Sequence, residues 1–98
     1  MAERSRLVVA YDIRHPGRLR RVHKTTSGFG DPLQYSVFVC DLTAVELVSL
    51  KTALKLKMDL RVDSVAILDL GPARGRGKHS VEFLGARRPL PDQGPTIW

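Results

Sequence analysis

The sequence is poor in residues that support thiol or metal chemistry. It contains a single cysteine and three histidines, so an intrachain disulfide is excluded. Cys40 ends the apolar run at residues 37–40, which favours a small buried hydrophobe over a reactive thiol. His15, His23 and His79 show no pair at metal-ligand spacing, and no Cys-x-x-Cys motif accompanies them. A zinc site is therefore not expected.

Long apolar segments are absent as well. No run approaches the ~18 residues that a membrane-spanning helix needs. The first six residues include Glu3, Arg4 and Arg6 and lack the apolar stretch of a secretion signal. The sequence therefore predicts a cytoplasmic protein without a membrane partner. The glycine-rich stretch at residues 71–79 has the wrong spacing for a P-loop, so nucleotide binding of that kind is excluded.

The chain has the length of one domain. Typical domains run to ~100–150 residues, and this chain has 98. A chain this short builds a thin core, which favours pairing with a second copy. We expect one folded domain over residues 1–85. The tail at residues 86–98 contains three prolines, and we expect it either to pack at a dimer interface or to be disordered.

Positive charge is the most informative part of the composition. Sixteen Lys and Arg residues against ten Asp and Glu give a net charge of +6. The excess is concentrated in residues 14–24 and 71–88. Clustered cations gain by releasing counterions from a phosphate backbone, so a nucleic-acid partner is favoured over a general role in solubility. The candidate nucleic-acid contacts are Arg14, Arg18, Arg20, Arg21, Lys24, Arg74, Arg76 and Lys78.

The apolar pattern predicts two helices among several short strands. Pro16 can open the first helix, because its missing N–H costs nothing there. Thr43 and Glu46 form a capping box for a second helix that should end near Lys57. Residues 71–79 are predicted to be a mobile loop. The predicted strands are residues 7–11, 33–42, 63–70 and 80–84, of which 33–42 is long enough to be bent or split in two.

This order of elements predicts an α+β fold. Both helices can pack on one face of a mixed sheet, which gives a ferredoxin-like sandwich with an extra C-terminal strand. The other sheet face, which carries Val, Phe and Leu, then needs a cover. An identical subunit is the simplest one, so a homodimer is predicted.

Asp12 is the residue with the clearest chemical potential. It ends the first predicted strand, beside the start of a basic helix. Its carboxylate could hold a hard divalent cation, or it could simply cap the strand end. One carboxylate alone is a poor magnesium site. A two-fold axis passing near Asp12 would convert one weak ligand into a pair.

Several motifs follow one another in order along the chain. The apolar strand ends in Tyr11-Asp12-Ile13, and Gln34-Tyr35-Ser36-Val37-Phe38 follows downstream. Further stretches are Arg18, Arg21-Val22, Asp41-Leu42-Thr43, Asp63-Ser64-Val65 and Val81-Glu82-Phe83-Leu84-Gly85. Together they resemble the family of CRISPR-associated protein 2, the small subunit of CRISPR spacer acquisition. The resemblance covers about residues 7–85, most of the chain.

The resemblance implies a ferredoxin-like homodimer in which the last strand of one subunit extends its partner's sheet. It implies a magnesium ion (Mg²⁺) between the two copies of Asp12, and metal-dependent hydrolysis of RNA or double-stranded DNA. It also implies a complex with the CRISPR-associated protein 1 integrase, in which the small dimer holds the DNA to be inserted. Matched residue by residue, Asp12 is the metal ligand, and the residues flanking its catalytic cleft are Tyr11, Arg18, Arg21 and Phe38.

Three functions remain open at this point. A structural dimer that grips duplex phosphates during spacer acquisition ranks first, and a magnesium-dependent endonuclease ranks second. The third is a ferredoxin-like nucleic-acid-binding or regulatory module without catalysis. Two departures from the family pattern bear on the nuclease more than on the fold. Many members have acids where this chain has Arg14-His15-Pro16, and an arginine where it has Pro32.

Overall fold

The computed structural model describes residues 3–86. The sheet has the order β2-β3-β1-β4, and all neighbouring strands are antiparallel. This confirms the ferredoxin-like α+β fold. The expectation of a mixed sheet was wrong. A mixed sheet needs at least one parallel pair of neighbouring strands, and all three pairs here are antiparallel. The elements in chain order are β1 (Ser5–Asp12), α1 (Pro16–Ser27), β2 (Asp31–Gln34), β3 (Val37–Leu42), α2 (Ala44–Lys57) and β4 (Ser64–Pro72), followed by a short 3-10 turn at Arg76–His79.

The core lies between the sheet and the two helices. Alternate side chains of a strand face opposite sides, and one set from β1 and β3 faces α1 and α2. Burial raises the pKa of the Cys40 thiol to about 12, in agreement with a small buried side chain. The buried cluster consists of Leu7, Val9, Tyr11, Ile13, Val22, Phe38, Cys40, Leu42, Leu50 and Leu54.

The helices begin as the sequence predicts. The N–H of Glu46 donates to Thr43 Oγ1 at 3.2 Å, and the N–H of Thr43 donates to Glu46 Oε1 at 2.8 Å, which completes the capping box. At α1 the N-cap is His15, whose Nδ1 accepts from the N–H of Arg18 at 3.2 Å. In the described part of the chain, no helix is long and apolar enough to cross a membrane.

The long strand predicted at residues 33–42 is split in two. Tyr35 and Ser36 form the turn between β2 and β3. The carbonyl of Ser36 accepts a hydrogen bond from the N–H of Tyr11 at 3.1 Å, which ties this turn to the end of β1. The turn therefore lies beside the strand end that carries Asp12.

The segment at residues 71–79 is more ordered in structure than the predicted loop. β4 continues to Pro72, and the 3-10 turn follows after three residues. Gly77 is buried, and an added Cβ there would lie 2.8 Å from Arg6 Cβ. The N–H of Ala73 donates to the carbonyl of Arg4 at 2.9 Å. The segment is ordered because it packs against β1. Sequence periodicity does not reveal this contact.

The predicted last strand is not formed within the chain. Residues 80–86 pair with no strand in the described part of the molecule, and Leu84 is 94% exposed. A strand forms only where backbone groups pair with a sheet edge, and this segment makes no such pairing within its own subunit. The predicted tail at residues 86–98 lies outside the described residues from position 87 onward.

Gly30 lets the chain pass directly over β3 after α1 ends. An added Cβ would lie 2.5 Å from Cys40 Sγ and 2.9 Å from Cys40 Cα, and closer still to the carbonyl oxygen of Val39. Two of these atoms belong to the backbone of a central strand and cannot move aside cheaply. Any side chain at position 30 therefore separates this crossing from the sheet.

We expect Gly30→Ala to lower the free energy of unfolding by about 1–3 kcal/mol, because the added methyl overpacks a central strand. Urea denaturation measures the loss. Gly28→Ala is the matched control, since Gly28 has helical backbone angles (φ −75°, ψ −9°) and its Cβ would lie 3.4 Å from the Thr25 carbonyl oxygen. Equal destabilisation by both variants would contradict the overpacking account.

Candidate functional site

The sheet face opposite the helices carries Asp12 at one end. Cross-strand pairs share a face, and on this face Val8 pairs with Leu68 and Ala10 with Ala66. These side chains are apolar, and none is fully buried; Leu68 is 51% exposed. Asp12 follows Val8 and Ala10 in the same row and is exposed. The result is an open apolar strip that ends in a carboxylate.

The other end of this face is closed by a buried ion pair. Arg6 Nε and Nη2 each donate to Asp41, to Oδ1 and Oδ2 respectively, at 2.9 Å. Arg6 is completely buried, and Gly77 of the 3-10 turn packs against it. Arg6 and Asp12 are six residues apart, or about 20 Å along a strand. The turn therefore leaves the Asp12 end uncovered.

Tyr11 and Phe38 lie on the helix side of the sheet, not beside the Asp12 carboxylate. Both belong to the buried core, with their ring centroids 6.3 Å apart. The Tyr11 hydroxyl is hydrogen-bonded to Nδ1 of His23 at 2.9 Å, and the His23 ring meets Phe38 edge-on at 5.2 Å. Within one subunit Tyr11 and Phe38 therefore do not share a face with Asp12, and their roles beside a catalytic cleft stay predictions. Consecutive strand residues point to opposite faces.

Arg18 is engaged in a structural ion pair. Its Nε and Nη2 donate to the two carboxylate oxygens of Asp63 at 2.8 and 3.2 Å. Asp63 Oδ2 also accepts from the N–H of Asp59 at 2.8 Å. The hydrogen bond from Arg18 lowers the pKa of the Asp63 carboxyl below its usual 3.8. Arg18 thus ties α1 to the turn that precedes β4.

The remaining cations of the first basic segment are exposed. Arg20 and Lys24 are four residues apart, so they share the outer face of α1. The Arg21 guanidinium folds back along the helix towards Gly17, where an added Cβ would lie 3.4 Å from its Nη1. Arg14 is exposed just after Asp12. This surface presents four cations and no acid between positions 14 and 24.

The second basic segment is described up to residue 86, and its cations there differ in exposure. Arg74 and Arg76 are exposed, whereas Lys78 is half-buried in the 3-10 turn. Gly71 has a positive φ of 97° that turns the chain beneath the Arg76 side chain. The nucleic-acid roles predicted for these three residues stay predictions.

Two groups of residues near the site were missed from sequence. The Arg6–Asp41 ion pair could not be found, because nothing in the sequence indicates which acid meets Arg6 across two strands. The sequence pattern addresses His23 only as a possible metal ligand. It follows Leu19 at helical spacing, and that signal could have placed its ring near the core-facing side of α1.

The cation-binding capacity of a single subunit is small. In the part of the chain that the structure describes, no three His, Cys, Asp or Glu side chains are grouped to hold a metal ion. Asp12 offers oxygen donors, which suit a hard divalent cation, but only from one carboxylate. The predicted homodimer would supply another.

The fold and this face define a ferredoxin-like α+β protein with a basic first helix and an open sheet face ending in an aspartate. The family model described as "CRISPR associated protein Cas2" matches residues 5–75. The chain therefore belongs to the Cas2 family, as its motifs predicted.

Relatives and solved structures agree with this assignment. The "CRISPR-associated endoribonuclease Cas2" of Geobacter sulfurreducens is 46% identical over 66 residues, covering 67% of this chain and 70% of the relative. A Cas2 endoribonuclease of Rhodospirillum rubrum is 46% identical over 78 residues, covering 80% and 76%. The crystal structure of Streptococcus pyogenes Cas2 superposes with a TM-score of 0.71 at 34% identity, covering 82% of this chain and 99% of that one.

We expect Arg18→Met to destabilise the protein at neutral pH, because Asp63 loses the partner that lowers its pKa. The pair contributes stability above the unfolded-state pKa, near 3.8, and that contribution is lost as pH falls through the lower folded-state value. In urea denaturation the stability gap to wild type should therefore be constant at neutral pH and shrink only as pH falls below the unfolded-state pKa. Arg14→Met is the control, and a gap independent of pH would contradict an electrostatic role.

Proposed function

We propose that this chain is a homodimeric nucleic-acid-binding subunit of CRISPR spacer acquisition, which holds DNA together with the CRISPR-associated protein 1 integrase. The observation that carries the proposal is the exposed basic surface of residues 14–24 on a Cas2-family fold. Cations on an outer helix face reach the phosphate backbone without reading bases, as a sequence-tolerant scaffold requires.

The open sheet face supports the dimer. Val8, Ala10, Ala66 and Leu68 leave an apolar strip partly exposed to water. A two-fold interface places the same patch of each subunit against its copy, so the strip would be covered by itself. Burial of this apolar area is the driving force for association. The axis would then run near the two copies of Asp12.

The segment at residues 80–84 supports strand exchange within that dimer. Val81 and Phe83 are half-buried while Glu82 and Leu84 are exposed, the alternation of a strand with one covered face. β4 is an edge of the sheet and offers unpaired backbone groups. We infer that this segment of one subunit adds to β4 of the other.

Metal-dependent hydrolysis of phosphodiester bonds is the second function we propose for the same dimer. It is supported by the relatives named as Cas2 endoribonucleases and by the exposure of Asp12 beside the cations of α1. Two Asp12 carboxylates across the axis provide oxygen donors of the kind that Mg²⁺ prefers. A divalent cation there would neutralise charge that develops on a scissile phosphate. Arg14 and Arg21 are the nearby cations in sequence that would orient the phosphate.

We expect duplex DNA binding to weaken steeply with salt and to tolerate sequence changes. Arg20→Gln with Lys24→Gln should reduce the slope of log affinity against log salt concentration by about 2, since each lost phosphate contact removes about 0.9. Fluorescence anisotropy titrations at several salt concentrations measure this slope.

The matched control removes the same charge from the other helix. Lys51 and Lys55 are exposed on α2, and Lys51→Gln with Lys55→Gln should leave most of the slope in place. Equal reductions by the two double variants would mean that net charge, not the α1 surface, determines binding.

We expect Asp12→Asn to abolish Mg²⁺-dependent cleavage of RNA and duplex DNA while the protein stays dimeric by light scattering. Asn keeps the size of the side chain and one oxygen, so a capping role survives, but it lacks the charge that a hard cation needs. Without metal, the melting temperature should stay equal or rise, because two facing carboxylates repel each other.

Glu3→Gln is the control for Asp12→Asn. Glu3 is exposed and lies before β1, at the strand end remote from Asp12, so its loss removes one carboxylate without touching the site. Cleavage by Asp12→Asn at the wild-type rate would refute the nuclease proposal. Unfolding of the variant would assign Asp12 a structural role.

A further inference from the structure

Tyr35 is an aromatic side chain that is largely exposed to solvent. It lies in the turn between β2 and β3 and is 77% exposed. The carbonyl of the next residue, Ser36, is fixed by the N–H of Tyr11 at 3.1 Å, so the turn is anchored to β1. An exposed aromatic ring on an anchored turn has no packing role in the core. On one side Tyr35 borders Glu82, Phe83 and Leu84 of the same chain, and the rest of its exposed surface is available to a ligand.

A cleft opens between this ring and α1. It is lined by Leu19, Arg20, His23 and Tyr35, and we call it the tyrosine cleft. Its volume is about 180 Å³, below the ~300–1,000 Å³ of pockets for drug-sized ligands. The tyrosine cleft therefore has room for one planar ring system, not for a larger molecule.

His23 forms one wall of the cleft, and two contacts position its ring although the residue is exposed. Its Nδ1 is hydrogen-bonded to the Tyr11 hydroxyl at 2.9 Å, and its ring packs edge-on against Phe38 at 5.2 Å. Burial, with a smaller contribution from Tyr35, raises the pKa of Tyr11, so this hydroxyl stays protonated at neutral pH. When it donates to Nδ1, the proton of the imidazole is on Nε2, which becomes a donor.

The charge of the tyrosine cleft selects an anionic ligand. Arg20 contributes a guanidinium, and none of the four lining residues is acidic. The cleft shares Arg20 with the basic outer face of α1, so a nucleic acid held on that face passes its rim. The four lining residues combine three kinds of group. Tyr35 offers a ring for stacking, Arg20 a cation for a phosphate, and His23 a polar group for a base edge.

We propose that the tyrosine cleft binds one unstacked nucleobase of a single strand, with the base against Tyr35 and its phosphate near Arg20. This inference rests on the proposed nucleic-acid binding and extends it from duplex phosphates to an unpaired base. Every base has a π-face, so the cleft should tolerate any base. A base inside a duplex is already stacked and paired and cannot enter.

The test compares two short single strands of equal length, oligothymidylate and its abasic analogue, by fluorescence anisotropy with the full-length protein. Tyr35→Leu should weaken binding of oligothymidylate roughly tenfold, because one base loses its stacking partner. Binding of the abasic strand should not change. Tyr35→Phe keeps the ring and should bind both strands as wild type does.

The outcomes separate this inference from the proposed function. If Tyr35→Leu binds oligothymidylate as tightly as wild type while duplex binding keeps its salt dependence, the tyrosine cleft is refuted and the duplex scaffold stands. Equal weakening towards both single strands would also overturn the inference, since it would show a loss unrelated to bases. If wild type binds no nucleic acid, both proposals fail. Circular dichroism confirms that the variants are folded.

Discussion

The pairing of β1 with both β3 and β4 is the constraint on which the rest of the molecule depends. Because β1 is central and antiparallel to both neighbours, each of its residues is assigned to one of two faces. Leu7, Val9 and Tyr11 close the core with the helices. Val8 and Ala10 share the opposite face with Asp12. A shift of one residue in this register would exchange the two sets and destroy both surfaces.

The buried Arg6–Asp41 ion pair determines where the C-terminal part of the chain packs on the sheet. A buried pair is weak evidence for stability, because the desolvation of both charges offsets their attraction. Here its effect is directional: the 3-10 turn with Gly77 packs on Arg6, which fixes where the chain crosses the sheet. The segment after residue 80 then runs to the β2–β3 turn, where Glu82, Phe83 and Leu84 line a cavity together with Leu33, Gln34 and Tyr35.

The two candidate surfaces, the face that ends in Asp12 and the outer side of α1 with the tyrosine cleft, lie on different sides of the sheet. They differ in whether a second subunit is needed. In the proposed cation site, the face that ends in Asp12 needs a second subunit, which would supply another carboxylate. The outer side of α1 and the tyrosine cleft are complete within a single chain. Tyr11 links the two sides: it neighbours Asp12 in sequence, yet its hydroxyl orients His23 on the helix side. A change at Tyr11 would therefore alter the position of the His23 ring.

The sequence by itself determined the elements that depend on local chemistry. Thr43 with Glu46 marked the start of α2, and the ordered motifs around Tyr11-Asp12-Ile13 were enough to assign the family. Local patterns do not say which side chains meet across strands. The partner of Arg6, the pairing of Arg18 with Asp63 and the burial of Tyr11 and Phe38 were decided by the tertiary structure, because each depends on sheet register and helix packing between residues distant in sequence.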